Sequence, residues 1–163
     1  MAPEFTALFA YSDASNSRVL DAAAALSDAA LDTPLDIGPG CLRRILLHLY
    51  NGEYVWLARW SGEIETRWPS ESEPAPVAAI AQRFREVWSR RDQFLSTLAP
   101  AAIDRAQTYR DSKGSLFRAS LRDMLLQGLV HSIHHRAQAV NALRRLGGPI
   151  VELDYMMRLR QPA

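Results

Sequence analysis

His131-Ser132-Ile133-His134-His135-Arg136-Ala137-Gln138 holds three of the four histidines of this 163-residue chain. It lies within a proline-free run, rich in Leu, Ala, Gln, Met and Arg, that reads as one helix from about Arg118 to Leu146. Ser120, with Asp123 three residues later, is the expected N-cap. Gly147-Gly148-Pro149 is the expected stop, a left-handed cap followed by a residue that cannot continue a helix. On such a helix His131 and His135 fall about 40° apart on one face, one turn above the other, so both imidazoles can reach one ion. His134 stands off that line by roughly 60° from His131 and offers an i, i+3 alternative to the pair. Gly128, one turn earlier on the same face, is expected to leave room above the pair.

Two imidazoles are one ligand short of a catalytic metal site, which usually has three protein ligands and an open position. His48 is the remaining histidine. It sits in Leu42-Arg43-Arg44-Ile45-Leu46-Leu47-His48-Leu49, part of a second apolar helix expected from about Cys41 to Arg59 or Trp60. Gly52 lies one turn after His48 on nearly the same face. A mid-helix Gly costs about 1 kcal/mol relative to Ala, so a cavity or a close helix contact is expected there. Among these residues no general base stands out. Glu53 and Tyr50 are near His48 in sequence, but Tyr50 points off its face.

The rest of the chain supplies further helices and their connections. A first helix is expected from about Pro3 to Ala30, with Asp13 and Asn16 on a solvated face ahead of the alternative that they line a cavity. Asp32 to Gly40 reads as a loop from its Pro and Gly content. Ser61 to Pro76 reads as a long loop with a short extended piece at Ile64–Trp68, placed to cover a site, with Trp68 as lid or pin. A third helix is expected from Val77 to Leu98, with Arg83, Arg85, Glu86, Arg90, Arg91 and Asp92 marking a solvated face. Ile103 to Phe117 resembles a small hairpin turning at Asp111-Ser112-Lys113-Gly114. The tail from Pro149 is too apolar to float free.

Composition narrows the function classes. At 163 residues, 48% hydrophobic and 23% charged, the chain is expected to form one globular domain over 1–163. A net charge of +1 argues against a dedicated nucleic-acid protein. The single cysteine, Cys41, cannot form an internal disulfide and reads as a small apolar residue. Met1-Ala2-Pro3-Glu4 lacks the features of a secretory leader, and the apolar runs are too short to span a membrane. A cytoplasmic protein with no membrane partner is expected. The order and spacing of Ser, His, Asp and Glu match no triad or HExxH pattern.

His131-x-x-His134-His135-Arg136-x-Gln138 on a last long helix resembles the HxxHHRxQ signature of the DinB/YfiT-like superfamily. The segment Leu8–Leu20 looks like that family's first helix. Leu46–Leu57, carrying one histidine, looks like its second. The resemblance implies an all-α, antiparallel four-helix bundle, here with the long loop after the second helix and the hairpin before the fourth. It implies a divalent metal, zinc or nickel foremost, on His48, His131 and His135. Two departures stand out: Val130 where members often have Asn, which removes a hydrogen bond but no ligand, and Ala137 where Gly is usual. Some relatives are thiol-dependent transferases or isomerases using bacillithiol, mycothiol or glutathione, although fold does not fix chemistry.

A neutral three-histidine site would favour an anionic fourth ligand such as hydroxide, thiolate or carboxylate. The expectation is therefore a metal-dependent enzyme acting on a small molecule, either hydrolase-like or transferase-like with a low-molecular-weight thiol. The competing expectation is a non-catalytic metal- or small-ligand-binding stress-response protein. His134, Arg136 and Gln138 are candidates to orient a ligand or buttress the helix. Val130, Ile133 and Ala137 are apolar on one side of the histidine line, and Leu125 and Leu143 on the other. That surplus, with the resemblance, points to a homodimer.

Overall fold

The computed structural model describes residues 3–71 and 75–161. Met1 and Ala2, residues 72–74 of the long loop and residues 162–163 of the tail lie outside them, with the parts of the expectations that fall there. Four long helices form the body: α1 (Pro3–Ala24), α3 (Leu42–Trp60), α4 (Val77–Thr97) and α5 (Leu121–Arg145). Short helices α2 (Asp28–Leu31) and α6 (Met156–Leu159) flank them, and a hairpin of β1 (Ala106–Arg110) and β2 (Leu116–Ser120) precedes α5. The first helix is shorter than expected. The Ser27 hydroxyl accepts the Ala30 amide at 3.2 Å and starts α2 as a separate turn.

The hairpin forms about three residues later than expected, with register Ala106↔Ser120 to Arg110↔Leu116, so Arg118–Ser120 belong to β2 and α5 starts at Leu121. Its turn closes through Asp111, whose Oδ1 accepts the amides of Lys113 and Ser115, and through Gly114 at φ 85°. The fold is thus mostly helical with a two-stranded sheet, rather than strictly all-α. The segment 64–68 forms no strand.

Side-chain pairs fix the helix directions. Gly52 meets His131 and Gly128 meets Trp60, so α3 and α5 are antiparallel. Phe5 and Phe9 at the start of α1 share a cluster with Val87 and Leu95 late in α4, while Val19 and Ala23 near the end of α1 share one with Ile80 and Phe84, so α1 and α4 are antiparallel. Ser12 meets Arg136 and Leu26 approaches Gly148, so α1 and α5 are parallel. Tyr50 meets Phe84 and Tyr54 meets Arg90, so α3 and α4 are parallel. The expected antiparallel packing therefore holds for two of the four neighbouring pairs. α1 and α3 sit diagonally.

Parallel neighbours need a connection as long as the bundle. The 19 residues of α3 rise about 29 Å. The 16 residues from Ser61 to Pro76 can reach about 50 Å when extended, so the loop can return along the bundle.

The core is layered along the bundle axis. One apolar layer gathers Val19, Ala23, Ile45, Leu46, Leu49, Ile80, Phe84, Ala142 and Leu143. The other gathers Phe5, Phe9, Trp56, Trp60, Val87, Leu95, Met124 and Leu125. Between them, in order along α1, α3 and α5, lie Ser12, Asp13 and Asn16, then Glu53, then Ser132 and Arg136; Arg91 of α4, placed between Val87 and Leu95 of the second apolar layer, reaches Asp13 from there. Asn16 and Arg91 were expected on solvated faces but are 0% and 4% exposed. Arg91 is held by both Asp13 oxygens, at 2.8 and 2.6 Å. Buried polar groups persist when they are paired, and here they pair with one another.

The tail is tied down as expected: Val151 and Leu153 pack on the first layer, and the Tyr11 hydroxyl donates to the Leu153 carbonyl. On α5, Val130 and Ile133 are exposed, while Leu125 and Leu143 are core. Cys41 is buried at the start of α3, as its apolar reading requires. Among the described residues no helix is long and apolar enough to cross a membrane.

Candidate metal centre

His48 on α3 and His131 and His135 on α5 come together where these antiparallel helices face each other. Each offers a ring nitrogen, and the three atoms all lie within 4.8 Å of one another. Ring centroids are 4.3 Å apart for His48–His135, 4.4 Å for His131–His135 and 5.4 Å for His48–His131. Two glycines bear on the site in different ways. A Cβ on Gly52 would collide with the His131 ring, so the close approach expected at this position is the imidazole itself. A Cβ on Gly128 would meet Trp60 at 2.7 Å, so Gly128 admits an indole and does not open space above the histidines.

Burial favours the neutral form of His131 and His135, and two of the three rings are oriented. Burial, with His135, His48 and His134 adding repulsion, pushes His131 down to about 3. Burial also lowers His135, against the opposing hydrogen bond from Gln138. His48 Nδ1 lies 2.8 Å from Glu71 Oε1, and His135 Nδ1 lies 2.8 Å from Gln138 Oε1. Each ring then donates Nδ1–H to an oxygen, which leaves Nε2 with its lone pair free; metal-ligating histidines are commonly held in this way. His131 Nδ1 is buried with no hydrogen-bond partner.

Three imidazoles, two oriented by hydrogen bonds and one with an orphaned nitrogen, are a donor set that fits a divalent transition metal. No fourth His, Cys, Asp or Glu joins the group among the described residues, so an ion held there would keep an open coordination position.

Glu71 is the residue that sequence reasoning missed. Its Oε1 also accepts Trp68 Nε1 at 2.5 Å and Asn51 Nδ2 at 3.3 Å. Asn51 further donates to the Pro69 carbonyl at 3.1 Å. The long loop is thus pinned to α3 beside His48, with the Trp68 ring 4.8 Å from the His48 ring. Trp68 is both pin and wall. The other motif residues separate clearly. His134 is exposed and touches Gln138 Nε2 at 3.2 Å. Arg136 is buried and points into α1, where it donates to the Ser12 hydroxyl at 2.9 Å and Asn16 Oδ1 at 2.8 Å. Tyr50 faces Phe84, away from the site. Glu53 faces the polar layer, where Asn16, Trp88 and Ser132 donate to it at 2.7, 2.7 and 3.1 Å.

Above the histidines opens a cleft of about 770 Å³. His48 and His131 form part of its lining, with Trp56, Trp68 and Tyr109 as aromatic walls and Arg59, Asp111, Asp123 and Gln127 among its polar groups. The volume is that of a small-molecule site. Hairpin, long loop and two helices all contribute to it.

Known structures share this architecture. A DinB-like protein from Bacillus cereus superposes with a TM-score of 0.74 at 21% identity, covering 91% of this chain and 95% of its own. YfiT from Bacillus subtilis, described as a probable metal-dependent hydrolase with an unusual four-helix bundle topology, gives 0.69 at 19% identity, with 90% of each chain covered. No curated protein matches the sequence. The DinB family profile, however, matches residues 1–162, and with that match over the bundle, the loop and the histidine-bearing helices the chain belongs to the DinB family.

Proposed function

We propose that this protein is a metal-dependent enzyme of the hydrolase type, with one divalent transition metal, zinc or nickel, held by His48, His131 and His135. The observation that carries the reading is the convergence of three imidazole nitrogens within 4.8 Å of one another, with His48 and His131 lining an open aromatic cleft. When bound, such an ion acts as a Lewis acid and lowers the pKa of a coordinated water or thiol. The remaining work falls to the chain. Glu71 and Gln138 hold the His48 and His135 rings in the ligating tautomer. Trp68 walls the site beside His48. The description of YfiT as a metal-dependent hydrolase supports this class by analogy of fold. A small thiol entering the same open position is the transferase-like version of the reading, and it uses the same three ligands.

The test is elemental analysis of untagged protein, wild type beside His135→Ala, followed by ester and thiol-transfer assays on the metal-loaded form. About one equivalent of metal in the wild type, lost in the variant, is the expected result. Wild-type protein that neither carries nor takes up metal would reduce the three histidines to a structural cluster.

A further inference from the structure

Arg59 is a buried cation with no salt-bridge partner among the described residues, and the charge of Asp111 bears on it from the cleft wall. It lies on α3 eleven residues after His48, on the same helical stripe and roughly 16 Å along the axis, and both side chains line the cleft. Its residue exposure is 8%. The guanidinium is flanked by Trp56 and Tyr109, with its central carbon 4.7 and 5.1 Å from their ring centres. One hydrogen bond is made, from Nη2 to the Arg110 carbonyl at 2.7 Å. Its Nε is buried with no partner.

The other buried arginines are more fully engaged, two by carboxylates and one by three neutral oxygens. Arg43 has Asp28 and Asp32, and Arg91 has Asp13 and Asp92. Arg136 donates to Ser12 and Asn16 oxygens. Arg59 forms no ion pair among the described residues. A desolvated charge without a paired counter-charge is costly, and a cleft that opens onto it gives an anion access. Arginine against aromatic faces is also a good receptor for a carboxylate attached to an apolar body.

Two carboxylates share the lining; both are hydrogen-bonded locally, and Asp111 adds its charge near Arg59 without forming an ion pair. Asp111 Oδ1 accepts the Lys113 and Ser115 amides at 2.9 and 2.8 Å. Asp123 Oδ2 accepts the Ser120 hydroxyl at 2.6 Å. Their negative charge disfavours a polyanion, so a single carboxylate suits the cleft better than a phosphate ester.

We propose that the cleft binds a small monocarboxylate with an aromatic or extended apolar body. Arg59 takes the carboxylate, Trp56, Trp68 and Tyr109 enclose the body, and the far end of the ligand is delivered to His48, His131 and His135. The last clause rests on the metal-site reading, and the first two do not.

The probes are 4-phenylbutyrate and its uncharged isostere 4-phenylbutyramide, titrated into zinc-treated protein and followed by tryptophan fluorescence, since Trp56 and Trp68 line the cleft. Wild type should bind the carboxylate roughly tenfold or more tightly than the amide, as expected for a charge-assisted hydrogen bond in a desolvated site. Arg59→Met should erase that preference, and Arg59→Lys should keep part of it. His135→Ala should leave it intact, because the discriminating group is the guanidinium.

A preference that survives in Arg59→Met and vanishes in His135→Ala would place the carboxylate on the metal and overturn the proposal. Failure of folded wild type to bind either compound would overturn it too. Zinc content, measured on the same samples, separates failure of the metal site from failure of this one. Should Arg59→Met not fold, wild type and Arg59→Lys compared in the His135→Ala background carry the decision.

Discussion

Glu71 shows how much of a candidate metal site lies outside the residues that could hold the ion. Its Oε1 gathers His48, Asn51 and Trp68 at 2.8, 3.3 and 2.5 Å, so one carboxylate orients a ligand ring and anchors the loop. Replacement by Ala should lower zinc affinity about 10- to 100-fold, measured by competition with a chromophoric chelator, with the helical content unchanged. Wild-type affinity in the variant would mean that His48 is positioned by packing alone. Gly52 makes the complementary case. Gly52→Ala places a methyl group where the His131 ring sits, so this substitution, usually mild in a helix, should both destabilise the fold and cost the metal. Equilibrium unfolding and metal content report the two effects separately.

At this scale the sequence was uneven. The i, i+4 pair was readable because helical geometry relates its members directly, whereas His48, on another helix, was reached as the one histidine left and through the family resemblance. Glu71 was not, because it lies in an aperiodic Pro- and Glu-containing loop whose path depends on tertiary structure. Arg59 was not singled out because a charged residue near a helix end looks solvated until its neighbours are known.

Helix α5 was the most legible element, and its start can be tested. Ser120 Oγ accepts the Asp123 amide at 3.1 Å, while the Asp123 carboxylate lies 2.6 Å from the same hydroxyl. Ser120→Ala removes a cap at the junction of hairpin and helix and should cost about 1 kcal/mol in urea unfolding. Metal content should be unchanged, since His131 lies three turns further on. A loss of metal would show instead that the junction sets the register of the histidines. The long loop was legible as a loop, but its reason was not. Composition showed where helix ends. The diagonal placement of α1 and α3, and the parallel pairing of α3 with α4 that demands so long a return, follow from packing of whole helices. The same return places Trp68 and Glu71 at the metal centre.

Across the whole molecule, the polar layer between the two apolar layers is the feature that periodicity hid. A hydrophobic pattern assigns Asp13, Asn16 and Arg91 to solvent because it weighs each residue singly, whereas the fold buries them together. Glu53 is the centre of this layer, and its carboxyl is pushed up to about 7, chiefly by burial and next by the charge of Asp13, against Arg91 and the donors Trp88 and Ser132. A carboxyl raised in the folded state binds its proton more tightly there than in the unfolded chain. Its contribution to stability is therefore fully present below the ordinary value of 4.5 and is lost as pH rises through about 7. Wild-type protein in chelator should lose on the order of 2 kcal/mol relative to Glu53→Gln between pH 5 and pH 8, read as the difference in urea unfolding free energies. Taking the difference cancels groups common to both proteins, and the chelator removes the opposing pH dependence of metal binding. A difference that stays flat across that range would mean that the three hydrogen-bond donors on Glu53 outweigh its burial, and that the layer holds an ionised carboxylate balanced by Arg91 and Arg136 throughout.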